Sequence, residues 1–288
     1  MYVKEYKHLV PTNDNGDHIQ VEGISREGYT TKEYLTKIKA PTLTTRTAVL
    51  YAGGFNIHQS ESRDVSSVNP RHIGSVNYQP TSMVIKESTA YSLHQWIGAM
   101  EHNELVVYAS INSNTCASSM FSLYEAERLL KEGVCEEVII IAEERTSFNT
   151  LRIFKEHRVP LVCGDGFAML RLTLEPTPYE IKETKWFYSY ERNPFQTTGK
   201  AYIHVDTDEP VDNIKPHGTR TPSNNLAEEE LVKDRNAIYY KDITGHTQGV
   251  SAILEICMLI EDLDVQGKTL CVASGLGGFY GSCILHKH

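Results

Sequence analysis

The sequence has no apolar run approaching the roughly 20 residues that a membrane helix needs. Its longest β-like run, Val138 to Ala142, is five residues. Its opening, Met1-Tyr-Val-Lys-Glu-Tyr-Lys-His8, has none of the apolar stretch of a secretory signal. Positive charge is scarce: 28 Lys and Arg stand against 37 Asp and Glu, a formal net charge of −9. Wholesale nucleic-acid binding, which requires a basic face, is therefore not expected. The six cysteines, at 116, 135, 163, 257, 271 and 283, form no Cys-x-x-Cys pair. They read as reduced thiols of a cytosolic protein rather than a disulfide or zinc framework. No P-loop and no Gly-x-Ser-x-Gly elbow occurs, and Gly275-Leu-Gly-Gly278 fails the dinucleotide fingerprint because Tyr280 stands where its third glycine belongs.

What is present is an ordinary globular composition, 40% hydrophobic and 23% charged over 288 residues, sufficient for one large α/β domain. The first 45 residues are weakly patterned, with turn formers from Pro11 to Gly16. A β-like run follows at Thr47–Ala52, closed by Gly53-Gly54, then a polar stretch from Asn56 to Asn77. Residues 87 to 101 suit an amphipathic helix through Tyr91, Leu93, Trp96, Ile97 and Met100. Leu105 to Ile111 reads as a buried strand, and apolar positions 117, 120, 121 and 124 predict a helix ending at Gly133. Val138–Ala142, Ala168–Leu172, Leu270–Ala273 and Ser282–Leu285 read as further strands, and Thr247 to Leu263 as a helix buried on most faces. Strand, tight turn and helix recurring in the two halves suggest a parallel-sheet core built by internal duplication.

Three segments carry residues suited to chemistry. Cys116 lies among small residues between a strand and a helix, where the helix dipole and free N–H groups favour a thiolate. Position alone equally allows a small buried hydrophobe. His217 lies in Lys215-Pro-His-Gly-Thr-Arg-Thr221, and His246 in Lys241-Asp-Ile-Thr-Gly-His-Thr247, both next to glycines that constrain the backbone. None of the three has a second ligand at metal spacing, so no metal is expected. His286 and His288 read as a solvated tail.

Together these segments resemble the β-ketoacyl-acyl-carrier-protein synthases of fatty acid and polyketide assembly. Asn114-Thr-Cys-Ala-Ser-Ser119 is similar to their nucleophile elbow, Lys215 to Thr221 to their second signature, and Lys241 to Thr247 to their third. Gly164-Asp-Gly166 and Gly275-Leu-Gly-Gly278 fall where that family has glycine-rich turns. The resemblance implies a thiolase-like α/β/α/β/α sandwich in one domain over 1–288, with halves at about 1–175 and about 176–288. It implies Cys116 as acyl-accepting nucleophile, with His217 and His246 polarising a malonyl thioester and stabilising its enolate. Lys241 falls on the family's lysine, Glu255 on a supporting glutamate, and the N–H groups of Cys116 and Leu276 on the oxyanion hole. Thr219 and Thr221 are plausible supporting donors, or simple turn formers. Two histidines indicate the elongating rather than the initiating type.

The resemblance further implies no cofactor, an acyl carrier protein and acyl and malonyl thioesters as partners, and a homodimer or a heterodimer with a fuller synthase. The chain is roughly two-thirds of a typical family length, so the sandwich should be trimmed. Leu276, Phe279 and Tyr280 depart from the family's gate, and Asn225 replaces an aspartate while Glu228 matches. A specialised pathway is thus expected over standard fatty-acid elongation. Two rivals remain: an acyltransferase or thioesterase that does not condense, and a silent partner subunit. The stretch Arg152 to Arg158, with Lys155 and with Arg145 nearby, is the best local candidate for docking an acidic carrier protein, and a solvated loop is the equal alternative.

Overall fold

The computed structural model describes residues 1–11, 20–21, 31–53, 89–144, 154, 156, 159–190, 193, 195 and 197–288. Among these, the strands are β1 (Tyr2–Leu9), β2 (Gln20–Val21), β3 (Thr47–Ala52), β4 (Val106–Asn112), β5 (Glu137–Glu144), β6 (Cys163–Gly164), β7 (Gly166–Thr173), β8 (Tyr179–Tyr188), β9 (Asn213–Lys215), β10 (Asn236–Ala237), β11 (Gly267–Gly275) and β12 (Phe279–Lys287). The helices are α1 (Thr31–Lys37), α2 (Thr89–Ala99), α3 (Ser118–Lys131), α4 (Gly199–Tyr202), α5 (Pro222–Val232), α6 (Lys241–Thr244) and α7 (Ser251–Glu261). The polar stretch from Asn56 to Asn77, Gly54 and the docking residues Arg145, Arg152, Lys155 and Arg158 lie outside the described residues.

Ten strands form one sheet in the order β10-β9-β11-β12-β8-β1-β7-β5-β3-β4. The sheet repeats itself. In the N-terminal half β4, β3 and β5 are parallel and β7 and β1 antiparallel; in the C-terminal half β10, β9 and β11 are parallel and β12 and β8 antiparallel. The halves meet at a thin seam where Tyr2 pairs with Glu180 and the Ile181 N–H donates to the Met1 carbonyl at 2.7 Å.

Burial explains the layering. β3 and β5 are buried at every position, as parallel strands covered on both faces must be. On one face Val49, Tyr51, Ile139 and Ile141 pack with Tyr34 of α1 and Trp96 of α2. On the other, Ala48, Leu50, Val138 and Ile140 join Leu123 of α3, Leu254 of α7 and Cys271 and Cys283 of the second half. Ile214, Leu270, Val272 and Ile284 face outward onto Tyr202 of α4 and Leu231 of α5. Helices therefore lie outside each half-sheet and between them. α7 is apolar on nearly every face because it sits in that central layer. α3 buries one face, carries Arg128 and Lys131 in its last turn against the dipole, and is followed by Gly133 at φ 69°.

The weakly patterned first 45 residues contain β1, which lies in the sheet between β7 and β8. Its polar residues gave no alternation because only Val3 is fully buried there. The buried strand expected over Leu105 to Ile111 needs correction: it forms as Val106–Asn112, with Leu105 in a 3-10 turn, and it is not buried. Among the described residues β4 pairs only with β3 at the end of the sheet, and Val107, Tyr108 and Ile111 are exposed.

Candidate active site

Cys116 is set where β4 gives way to α3. Thr115, at φ 52°, starts a single 3-10 turn over Thr115–Ala117, and α3 continues from Ser118. The Asn114 N–H donates to Ser118 Oγ at 2.8 Å, which clamps the turn. The β11–β12 turn approaches from the other half, and Thr115 Oγ1 donates to the Leu276 carbonyl at 3.0 Å. This approach requires glycine at 275, since a Cβ there would lie 2.5 Å from Thr115 Oγ1 and 2.6 Å from the Asn114 carbonyl. The N–H groups of Leu276 and of Cys116 itself face the sulfur and favour its charged form. They do not prevail. Burial, with Glu144 adding to it, pushes the Cys116 thiol up to about 12. The expected lowering by the helix end is overturned, because the thiol is withdrawn from water.

His217 follows the end of β9. Its backbone N–H donates to Glu228 Oε1 at 2.6 Å and that of Gly218 to Glu228 Oε2 at 3.1 Å, so α5 holds the turn from below. The Thr219 N–H donates to Asn224 Oδ1 at 2.9 Å. Thr221 caps α5, accepting from the Asn224 N–H at 3.3 Å ahead of Pro222. Thr221 therefore has the turn-forming role, and both threonines also border the cavity described below. His246 follows α6 through Gly245; its N–H donates to the Val162 carbonyl at 2.8 Å and its Nδ1 lies 3.2 Å from Ser251 Oγ. The two rings meet edge to face at 5.1 Å between centroids. Burial holds both imidazoles well below the ordinary histidine range, and the Lys241 and Lys215 ammonium groups press them further. Both are neutral near pH 7. Among the described residues His217 Nδ1 is buried with no hydrogen-bond partner.

Behind the histidines, Glu255 of α7 bridges two lysines: Lys241 Nζ and Lys215 Nζ each lie 2.5 Å from one of its oxygens. Lys215 also donates to the Val272 carbonyl at 3.0 Å. Burial and the neighbouring Lys215 lower Lys241, whereas the Glu255 carboxylate outweighs burial at Lys215 and raises it. Sequence reading quoted Lys215 only as part of a motif. The available signal was a lysine ending a buried three-residue strand.

Cys116, Leu276 and His217 line one cavity of about 480 Å³, to which Thr219, Thr221 and Asn224 add polar groups and Phe154 and Leu161 apolar ones. His246, Lys241 and Glu255 stand outside its wall. The arrangement offers a sulfur with two N–H donors, and imidazoles kept neutral chiefly by burial, with the buried lysines adding to it. The cavity can hold a negative oxygen at the Cys116 and Leu276 N–H groups and another beside His217, while His246 packs behind His217 and does not border it.

No family model and no curated protein matches the sequence. Solved structures do match. The chain has a ketosynthase-like, thiolase-type fold. The ishigamide ketosynthase/chain length factor aligns at TM-score 0.67 and 16% identity, over 85% of this chain and 76% of its own. A β-ketoacyl synthase of Burkholderia phymatum aligns at TM-score 0.65 and 16% identity, over 90% and 80%. A ketosynthase of Xenorhabdus doucetiae, solved with its chain length factor, aligns at TM-score 0.64 and 14% identity, over 84% and 75%. Among the described residues no helix is long and apolar enough to cross a membrane.

Proposed function

We propose that this chain is a trimmed ketosynthase-like acyltransferase of the elongating, two-histidine type. It condenses an acyl group held on Cys116 with a malonyl unit on an acyl carrier protein, in fatty acid or, given the altered gate, specialised polyketide-type synthesis. Its single domain comprises halves at about 1–175 and 176–288. The observation that carries the reading is the common cavity of Cys116, Leu276 and His217 within a ketosynthase-like fold, with the His246 ring against His217.

In loading, the Cys116 sulfur attacks the acyl thioester carbonyl, the bond to the carrier's sulfur breaks, and the Cys116 proton passes to that leaving sulfur. The N–H groups of Cys116 and Leu276 hold the oxyanion. Because burial keeps the thiol protonated, loading needs a base, and the neutral His217 imidazole borders the same cavity. In condensation the malonyl thioester loses carbon dioxide, and the electron pair of the broken bond moves onto the thioester oxygen beside His217. The enolate carbon then attacks the Cys116 thioester, forming the new carbon–carbon bond as the carbon–sulfur bond breaks, and the sulfur leaves as a thiolate that takes a proton from solvent. Burial keeps the histidines neutral, and Lys241 and Lys215, both held by Glu255, add to it. Carrier protein and a second synthase-type subunit are the proposed partners.

Intact-mass analysis with acyl and malonyl donors tests this. Wild type should gain an acyl adduct and release carbon dioxide, and Cys116→Ala should gain none. His246→Ala should still acylate but decarboxylate more slowly, because the ring packed against His217 is removed. An adduct that persists in Cys116→Ala would overturn the nucleophile. Acylation without decarboxylation would instead favour the non-condensing acyltransferase or thioesterase, because the thiol would then act without the enolate half-reaction.

A further inference from the structure

His286 and His288 are not a free tail. His286 lies on β12 directly opposite Glu180 of β8, and the His288 N–H donates to the Pro178 carbonyl at 2.9 Å, continuing the pairing. Being two residues apart on a strand, the histidines project to one face. Their rings lie 3.9 Å apart between centroids, tilted by 50°. Glu180 Oε2 lies 3.4 Å from His288 Nε2 and 3.8 Å from His286 Nδ1, and the three ligand atoms all fall within 4.8 Å of one another.

These separations have a chemical meaning. Zinc bonded to imidazole nitrogen and carboxylate oxygen at about 2.0–2.1 Å in a tetrahedron needs ligand atoms about 3.4 Å apart. One pair here has that separation and another is a few tenths of an ångström wider. Glu180 and His286 are partly exposed and His288 about half, so an ion can enter and a fourth position stays open to water. Lys182 pairs with Glu209, Lys287 donates to the Leu259 and Asp262 carbonyls, and the Met1 amine donates to the Ile181 carbonyl, although Lys182 and the Met1 amine also feel the Glu180 charge. Glu180 is also the residue that pairs with Tyr2 where the two half-sheets meet.

We propose that Glu180, His286 and His288 form a Zn²⁺ site that staples β12 to β8 at the seam between the half-sheets. The site is separate from the candidate active-site cavity, none of whose wall residues belongs to it. The ion would fix the chain end and stabilise the sheet, leaving the proposed acyl chemistry to other residues.

The test is calorimetric titration of the full, chelator-treated chain with zinc chloride. One ion should bind per chain. Glu180→Gln and the double variant His286→Asn/His288→Asn should each bind more than about tenfold more weakly, the loss that even an outer partner of a metal ligand produces. Zinc should raise the unfolding temperature of the wild type and not of the double variant. His288→Asn alone, at a half-exposed position, guards against misfolding as an explanation. Absence of stoichiometric uptake by the wild type, or uptake and stabilisation undiminished in the double variant, would overturn the site.

Discussion

His217 and His246 are neutral bases held away from water, and that makes stability depend on pH. In the unfolded chain each takes up a proton near its ordinary pKa of about 6.5, whereas burial and the adjacent lysines lower both in the fold. Below that pH the unfolded state therefore binds more protons than the native one. Stability is complete above about pH 6.5 and falls with acidity, by at most about 1.4 kcal/mol per pH unit for each histidine. Glu143 and Glu228, raised by burial, pull in the opposite sense, so the informative quantity is a difference between proteins. Urea unfolding at pH 5.5 and 7.5 should show a shallower loss on acidification in His217→Asn than in wild type. Equal losses would mean that His217 is protonated in the fold. The motifs placed this residue, together with Cys116, His246, Lys241 and Glu255, from sequence. They could not give the direction of the Cys116 shift, which depends on how deeply the elbow is covered. Nor could they give Lys215, whose carboxylate partner lies 40 residues away in sequence.

Elements announced themselves in proportion to their burial. β3, β5 and β7 are buried throughout and read clearly as apolar runs, and α3 and α7 show their buried faces in sequence. β1 and β8 went unread because they are half-covered, mixed-polarity strands whose place comes from antiparallel partners. The β11–β12 turn was legible as a glycine cluster, but the structure gives the reason at Gly278. It sits at φ 90°, its carbonyl accepts the Ser189 N–H at 2.8 Å, and an added Cβ would fall 1.7 Å from the Ser189 carbonyl oxygen. Gly278→Ala should cost more than the roughly 1–3 kcal/mol of a strained backbone alone, and should displace Leu276 from the Cys116 sulfur. Gly98 supplies the opposite case on α2, where a Cβ meets nothing within 4 Å. Gly98→Ala should stabilise by about 0.5–1 kcal/mol. Denaturant midpoints of the two variants should move in opposite directions, and a neutral Gly278→Ala would mean that the turn does not hold this close contact.

At the scale of the whole molecule the unresolved demand is β4. Among the described residues it forms the end of the sheet beyond β3, with Val107, Tyr108 and Ile111 exposed on a strand seven residues long. Its other interactions turn inward: Tyr108 and Ser110 both donate to Glu125 of α3, tying the strand to the helix that follows Cys116. An exposed apolar edge pairs readily with another strand, and a two-fold symmetric partner satisfies it with the same residues from each copy. Antiparallel pairing of β4 with its mate would bury this edge and place the two Cys116 elbows on either side of the interface. Light scattering at micromolar concentration should therefore give a dimer. Val107→Lys combined with Ile111→Lys should drive it toward monomer, because two copies would then bring four ammonium groups to the edge, while circular dichroism remains that of the wild type. A wild-type monomer would show that β4 stays uncovered, and a double variant that remains dimeric would place the interface on another face.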